Sequence, residues 1–186
     1  PEMTKRLAIT VSKQEPPTDG RRGSSTHGFT LIELMAAVTI FGILLMIAVP
    51  TFRDAALGSR LSAIANNLLG SVQLARSEAI KRNAVITLCA SADGASCTTS
   101  GGWEQGWIVR DAAASVIQRQ QALPVELKVT QTGGTSALGF QPIGVGATAA
   151  TFTVCRGSPV GSQERVVRVS ATGIAYVTRT TAGACP

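Results

Sequence analysis

Residues 28–52 read GFTLIELMAAVTIFGILLMIAVPTF, and this stretch decides the architecture of the chain. From Phe29 to Phe52 it contains no lysine, arginine or aspartate, and Glu33 is its one charged residue. At about 1.5 Å per residue, a helix of this length spans about 36 Å, which is enough to cross a bilayer core. The stretch therefore predicts a membrane-spanning helix. A buried core helix or the apolar region of a secretory signal peptide would be shorter.

The charges on either side of the apolar stretch predict its orientation. Residues 1–28 contain five basic and three acidic residues and contribute +2 of the formal net charge of +6, so the remainder contributes +4. Because basic segments beside a membrane helix stay in the cytoplasm, we expect the N-terminus inside and the rest of the chain outside. A charge of +4 is ordinary for a solvated surface and only weakly favours an anionic partner.

Glu33 is the anomaly of the apolar stretch. An acidic residue in a membrane helix costs about 2.5 to 3.5 kcal/mol on insertion scales unless it is paired, so the sequence predicts a positive partner. A cut between Gly28 and Phe29 would create an α-amine four residues before Glu33. That amine, or the same amine on a neighbouring subunit, could neutralise the carboxylate.

The residues GFTLIELM at 28–35 resemble the prepilin peptidase signal of type IV pilins and type II secretion pseudopilins. The resemblance implies that the peptidase cuts after Gly28, that Phe29 becomes N-methylated, and that Glu33 serves assembly. Residues 1–28 would then be a leader peptide that is removed. At 28 residues this leader is longer than the short form common in the family.

A helical stripe follows the apolar stretch. Apolar residues recur at steps of three and four along residues 53–82, which is the spacing of one helix face. They are Leu57, Leu61, Ile64, Leu68, Val72, Ala75 and Ala79. We therefore expect one helix with a transmembrane half at 29–52 and an amphipathic half at 53–82 that packs on an outer domain. Gly42 and Pro50 are expected to bend or weaken it.

Residues 83–186 are typical of a β-domain. Short runs rich in Val, Ile and Thr are separated by Gly, Pro and Ser, which predicts eight strands. These are 84–90, 106–110, 116–121, 125–130, 137–141, 150–155, 165–171 and 174–179. Hairpin turns are predicted at Gly133-Gly134 and Thr172-Gly173. The expected fold class is α+β: a long N-terminal helix, pilin-like, on a mainly antiparallel β-domain.

Two further motifs narrow the resemblance. WEQGWIVRD at 103–111 and LGFQPIGVGA at 138–147 resemble the W-x-x-G-W and F-x-P-x-G signatures of the GspH/FimT/FimU group of minor pilins and pseudopilins. We expect Trp103 and Trp107 to be core anchors rather than ligand platforms. Gly106 would permit a bulge or a close approach of the backbone.

Four cysteines lie on the predicted outer side of the membrane, where disulfides persist. Three pairings are open. We favour Cys89 with Cys97, which closes a Gly/Ser/Thr-rich loop at a strand end, and Cys155 with Cys185, which ties the C-terminus to a strand. Neither pair has the short spacing of a zinc site, so no metal is predicted.

The sequence offers no catalytic or cofactor-binding motif. The sole histidine, His27, lies in the predicted leader, and the mature chain offers no Cys-His, Ser-His or paired-carboxylate set. Gly144 and Gly146 form a Gly-x-Gly, but neither a P-loop nor a G-x-G-x-x-G motif is present. The sequence predicts a protein that is not an enzyme, with no catalytic residue and no cofactor.

Arginines of the last third of the chain raise the alternative of DNA binding. Four of them could line one basic strip: Arg156, Arg165, Arg168 and Arg179. DNA-uptake members of the resembled family carry a G-R-x-R motif near the C-terminus. The matching place, residues 173–176, reads Gly-Ile-Ala-Tyr, so both arginines are missing there. Exposed arginines on strands usually protect a sheet edge, which weighs against nucleic acid as a partner.

Together these observations predict a minor pilin of the FimU type, inserted by its N-terminal helix into a type IV pilus or its initiating tip complex. The resemblance implies other minor and major pilins or pseudopilins, the prepilin peptidase and the inner membrane as partners. It places the protein in the inner membrane, single-pass, with a periplasmic C-terminal domain. The alternatives are the H pseudopilin of type II secretion, a DNA-binding FimT-like pilin, and a membrane-anchored binding module that never polymerises.

Overall fold

The computed structural model describes residues 28–145, 147–158, 161, 163–181 and 185. His27 and the rest of the predicted leader before Gly28 lie outside the described residues. The chain divides into two compact units, Pro1–Leu44 and Leu45–Pro186. In the first unit the described residues are exposed apart from the partly covered Gly42, and they are helical from Leu31 onward.

One helix, α1, spans Leu31–Arg82 and contains 52 residues. Thr30 caps its start, because the backbone N–H of Glu33 donates to the Thr30 hydroxyl at 3.3 Å. Asn83 ends the helix with a φ of 50°. The N–H groups of Asn83 and Ala84 donate to the carbonyls of Ile80 and Ala79, and this pattern closes a helix C-terminus after a left-handed residue.

By length and composition, the apolar part of α1 could cross a membrane. The helix continues through Gly42 and Pro50. Neither residue ends it, although we expected a bend or a weak point at both. The predicted helix of residues 29–82 is confirmed except for its first two residues, Phe29 and the capping residue Thr30.

In the second unit, α1 buries the predicted stripe. All seven predicted positions are at most 8% exposed, and Leu61, Leu68, Val72, Ala75 and Ala79 are fully buried. Gly58, Ala65 and Ser71 widen the buried face. This periodicity therefore predicted correctly which face of the helix meets the outer domain.

Eight strands follow the helix in two four-stranded antiparallel sheets. They are β1 (Ile86–Ala90), β2 (Trp107–Asp111), β3 (Val116–Gln120), β4 (Leu127–Gln131), β5 (Ala137–Phe140), β6 (Ala150–Arg156), β7 (Glu164–Val169) and β8 (Ala175–Thr180). Their order is β3-β2-β1-β5 in the first sheet and β4-β6-β7-β8 in the second. Every predicted strand is present, with ends within two residues of those expected, so the α+β fold is confirmed.

One predicted hairpin is wrong. Gly133 and Gly134 do form a tight turn, with φ values of 98° and 69° and an N–H of Gly134 that donates to the Gln131 carbonyl. The strands it joins, β4 and β5, belong to different sheets and do not pair. The hairpin at Thr172-Gly173 is correct, since β7 and β8 pair directly across it.

The core lies where α1 meets the inner faces of both sheets. Leu88, Val109 and Phe140 from the first sheet and Phe152 and Val154 from the second belong to one buried cluster with the helix stripe. A short 3-10 helix at Trp103–Gln105, which the sequence did not predict, adds Trp103 to this cluster. The two sheets thus share one core organised around the second part of α1.

Candidate functional site

Around the predicted cleavage point, the chain is irregular and exposed. Gly28, Phe29 and Thr30 have no regular secondary structure, and the Phe29 side chain is 84% exposed. The helix begins only at Leu31. A peptide bond between Gly28 and Phe29 therefore lies outside the hydrogen-bonded helix, where a peptidase could reach its carbonyl.

Glu33 occupies the third position of α1. Its backbone is held by the Thr30 hydroxyl, and its side chain is exposed. Among the described residues, no cationic group forms an ion pair with it. Thr30 and Glu33 have the spacing of a capping box, a second reason for a carboxylate at this position that the sequence reading missed.

The tryptophan motif fixes α1 to the first sheet. The Trp107 indole is 1% exposed, and its N–H donates to the Ser71 hydroxyl on α1 at 2.9 Å. Gly106 has a φ of 109°, and a Cβ there would lie 2.5 Å from the Gln120 carbonyl oxygen. The expected close approach at Gly106 and the core role of Trp107 are both confirmed.

Trp103 packs on the second sheet. Its indole N–H donates to the Thr135 carbonyl at 3.1 Å, and its ring meets Phe152 edge-on with centroids 4.8 Å apart. Trp103 is 3% exposed, so no face of the indole is open to a ligand.

The F-x-P-x-G motif contacts α1 closer to the C-terminal end of the helix. Phe140 is buried in the core, and Gly144 turns the chain with a φ of 74°. The Arg76 Nε on α1 donates to the Gly144 carbonyl at 3.1 Å. The last residue of each of the two motifs is therefore hydrogen-bonded to α1. The role of both motifs is structural.

Both disulfides that we favoured are formed in the structure. Cys89 and Cys97 have Cα atoms 5.5 Å apart, and Cys155 and Cys185 have Cα atoms 5.6 Å apart. Cys89 lies fully buried on β1 and Cys155 on β6. The first bridge closes a loop at the end of β1, and the second ties residue 185 to the second sheet.

Asp93 organises the loop between Cys89 and Cys97. Its carboxylate accepts hydrogen bonds from the Ser96 hydroxyl and N–H, the Ala95 N–H and the Ser91 hydroxyl. These bonds, led by those from Ser96, lower the pKa of Asp93 well below its usual range. The loop is therefore held by a charged hydrogen-bond acceptor as well as by its disulfide.

Of the four arginines, Arg165 differs most from an exposed arginine on a strand, because it is buried against α1. It is 8% exposed and points at α1, where its Nε donates to the Ser62 hydroxyl at 2.9 Å and its Nη2 to the Gly58 carbonyl at 3.2 Å. Its Nη1 donates to the Glu164 carbonyl at 2.9 Å. Burial, and then the positive charge of Arg179, lower the pKa of this guanidinium.

The other three arginines do not all share a sheet face with Arg165. Arg179 pairs with Arg165 across β7 and β8 and so shares its face. Arg168 is exposed, and because it is three residues from Arg165 on the same strand it lies on the opposite face. Arg156 is partly exposed on β6. The four arginines therefore do not line one basic strip, the alternative that the sequence left open, because Arg165 is internal and Arg168 faces the other way.

The turn that would carry a G-R-x-R motif is apolar instead. Gly173 adopts a φ of 72°, and the following Ile174 and Tyr176 side chains are 57% and 50% exposed. In this position the described surface presents an isoleucine and a tyrosine rather than two guanidinium groups.

Several polar residues of α1 that anchor the β-domain were not singled out from the sequence. They are Ser62, Ser71 and Arg76, which bond to Arg165, Trp107 and Gly144. The sequence feature that could have identified the two serines is a small hydroxyl residue beside the apolar stripe. Such a side chain can bond to a polar group of the sheet without separating the helix from it.

A long N-terminal helix that is preceded by an exposed Gly-Phe bond and packs its second part on two antiparallel sheets defines a pilin-like protein. The model of the type II transport protein GspH matches residues 65–173, more than half of the chain, and the prokaryotic N-terminal methylation motif matches residues 23–49. The chain belongs to the GspH family of type IV minor pilins and type II secretion pseudopilins. It is thus a membrane-anchored component of a pilus or pseudopilus.

Two of the similar solved structures have the same fold. Two crystal structures of the type IV minor pilin FimU of Pseudomonas aeruginosa, both 22% identical, give TM-scores of 0.51 and 0.52. They cover 63% and 64% of this chain and 92% and 89% of their own. The minor pseudopilin EpsH of the Vibrio cholerae Type 2 Secretion System is 14% identical with a TM-score of 0.48, over 63% of this chain and 95% of its own. No curated protein sequence matches.

Proposed function

We propose that the chain is a non-enzymatic minor pilin of a type IV pilus. Residues 1–28 are a leader that prepilin peptidase removes, and the mature protein begins at N-methylated Phe29. Residues 29–52 anchor it in the inner membrane, residues 53–82 form the amphipathic half of the helix, and residues 83–186 form a periplasmic β-domain. Other minor and major pilins are its partners in the filament.

The observation that carries the proposal is that two family models, the N-terminal methylation motif and GspH, both match residues of the same helix, α1. The methylation motif covers the exposed Gly28–Phe29 bond and the apolar residues after it, and the GspH match begins at residue 65 on the buried stripe. A helix that inserts in a membrane at one end and in a folded domain at the other suits a subunit that must leave the bilayer and enter a filament. No catalytic machinery is needed for that work.

Two disulfides favour the pilus over the secretion system. A subunit carried outside the cell is exposed to unfolding, and cross-links that tie down a loop and the C-terminus limit it. The second candidate, the H pseudopilin of type II secretion, is favoured by the family description itself, which names a type II transport protein.

Deleting the gene in its native host tests the proposal and separates the two candidates. Loss of surface pili with normal secretion of exoproteins is the expected result, and the intact gene should restore the pili. Loss of secretion with normal pili would overturn the pilus assignment in favour of the pseudopilin. A Gly28→Ala gene should fail to restore either function, because it alters the residue before the proposed cut.

A further inference from the structure

A polar cleft lies between the second part of α1 and the edge of the second sheet. Its volume is about 600 Å³, and Asp54, Gly58, Ser62, Gln163, Arg165 and Arg179 line it. Strand β8 is the last strand of its sheet, so one side of the cleft is a sheet edge.

Two guanidinium groups face this cleft, and the one carboxylate in its lining is that of Asp54. Arg165 and Arg179 lie directly across from each other on β7 and β8. Within the part of the chain that the structure describes, neither forms an ion pair with a carboxylate. All three acceptors of Arg165, the Ser62 hydroxyl and the carbonyls of Glu164 and Gly58, are neutral.

This arrangement is costly unless a negative group completes it. A buried charge normally has a charged partner, and two like charges side by side repel each other. Three of the five N–H groups of Arg165 are engaged in the bonds above, which leaves two to donate. Arg179 makes one long contact, 3.5 Å from its Nη2 to the Gln163 Oε1. The pair is therefore suited to a phosphate, which accepts from guanidinium groups on several oxygens.

The position of the cleft along the chain selects the source of the phosphate. The apolar run ends at Phe52, and Asp54 and Gly58 follow it on the same helix by two and six residues. At about 1.5 Å per residue they lie about 3 and 9 Å beyond Phe52 along the helix axis. The headgroup layer of a bilayer is about 5 to 8 Å deep on each side of the hydrocarbon core. The near end of the cleft is thus at headgroup depth when residues 29–52 span the membrane.

We propose that this cleft binds the anionic headgroup of a membrane phospholipid, with Arg165 and Arg179 as the phosphate-binding residues. The proposal rests on the membrane insertion proposed above. Bound lipid would hold the β-domain at the membrane surface before assembly and would be released when the subunit leaves the bilayer. Asp54 faces the same cleft and limits affinity through its negative charge.

The test is a titration of the chain, purified in neutral detergent, with short-chain phosphatidylglycerol, and binding is followed by native mass spectrometry. One saturable site is expected. Phosphatidylcholine with the same acyl chains and inorganic phosphate should each bind at least about tenfold more weakly. Equal binding of phosphatidylcholine would show that acyl chains alone are responsible, and equal binding of inorganic phosphate would show a soluble ligand. Either result overturns the proposal.

Variants identify the site. Arg179→Ala should lower the affinity for phosphatidylglycerol about tenfold while the fold is retained, because Arg179 is exposed and its side chain makes, among the described residues, the one long contact with Gln163. Asp54→Asn should raise the affinity. Arg168→Ala is the matched control, since it removes the same charge from the other face of β7 and should change nothing. An unchanged affinity in Arg179→Ala, or an equal loss in Arg168→Ala, overturns the assignment.

Filament assays separate this proposal from the function proposed for the whole chain. Lipid binding in detergent does not depend on assembly, so it can fail while pili still form, or succeed while they do not. If Arg179→Ala binds lipid normally but no longer enters filaments, the cleft takes an acidic group of a neighbouring subunit and the lipid proposal is wrong.

Discussion

Two physical effects act on the Glu33 carboxylate, and their sizes differ. At the start of a helix, the macrodipole and the capping pattern with Thr30 favour a negative charge by about 0.3 to 1 kcal/mol. Insertion of that charge into lipid costs about 2.5 to 3.5 kcal/mol. The helix start therefore offsets only part of the cost. The remainder is the reason to expect a positive partner, and the proposed cleavage after Gly28 would supply one as the Phe29 amine of the same or a neighbouring subunit.

Substitution of Glu33 should affect assembly and leave membrane insertion intact. Glu33→Val removes the charge and should insert at least as well as the natural chain, but few filaments should form. Glu33→Gln keeps the hydrogen-bonding capacity of a capping box without the charge, and we expect it to fail in the same way. The measurements are the amount of membrane-held subunit by immunoblot and the yield of sheared filaments.

A result in which Glu33→Gln assembles normally and Glu33→Val does not would assign Glu33 to the helix cap instead of to charge pairing. Thr30→Ala is the control for the cap, with an expected loss of about 1 kcal/mol of helix stability and little change in filament yield.

The hydrogen bond between Trp107 and Ser71 can be measured as a coupling energy. In a double-mutant cycle of Trp107→Phe and Ser71→Ala, read from urea unfolding of the chain in detergent, we expect an interaction of about 1 kcal/mol. Trp103→Phe with Ser71→Ala is the matched control and should be additive, because the Trp103 indole donates to Thr135 instead. Additivity in the Trp107 cycle would contradict the proposed anchoring of α1.

Residue-level prediction from the sequence succeeded for apolar side chains and failed for charged ones. The prediction of the buried helix stripe was correct because apolar residues that recur every three to four positions lie on one face of an α-helix. Strand β7 carries Arg165 and Arg168 on opposite faces with valines on both, so its alternation does not show which face is inner. The burial of Arg165 depends on acceptors at Gly58 and Ser62, more than a hundred residues earlier, and no local pattern contains them.

At the scale of elements, local signals predicted the strands but not all of their pairing. The turn at Thr172-Gly173 joins two strands that pair, and the turn at Gly133-Gly134 joins two strands in different sheets. Both turns have the same chemistry, a glycine with positive φ. What differs is which sheet offers a free edge to the next strand, and that is decided by the packing of the whole domain.

The two disulfides should differ in their contribution to stability. In the loop-entropy treatment, a bridge between residues 30 apart contributes more than one between residues 8 apart, by about 1 kcal/mol. Cys155→Ser with Cys185→Ser should therefore lower the urea midpoint more than Cys89→Ser with Cys97→Ser. The hydrogen bonds of Asp93 widen the difference, because they still hold the smaller loop after its bridge is removed.

Peptide mapping under non-reducing conditions comes before that comparison. It should find Cys89 linked to Cys97 and Cys155 linked to Cys185. Free thiols, or a link between Cys89 and Cys155, would contradict the pairing and remove the basis for the stability order.

At the scale of the whole molecule, the charge distribution argues against DNA capture. The chain has a net charge of +6, but the arginines of the second sheet are divided between two faces and the turn at Gly173 carries none. We expect no gel shift with double-stranded DNA at physiological salt. Tight binding that is lost in Arg168→Ala or Arg179→Ala would support the DNA-receptor alternative instead.

The central claim, that the chain is processed at Gly28 and then enters a filament, has one direct measurement. Between Phe29 and Arg53 there is no site for trypsin, so the mature N-terminus is a single peptide of residues 29–53, and an unprocessed chain gives residues 23–53 instead. Mass spectrometry of filaments sheared from the native host should find residues 29–53 with a methylated N-terminal phenylalanine. Finding this chain in membranes only as the 23–53 peptide, and not in the filament fraction, would contradict the account.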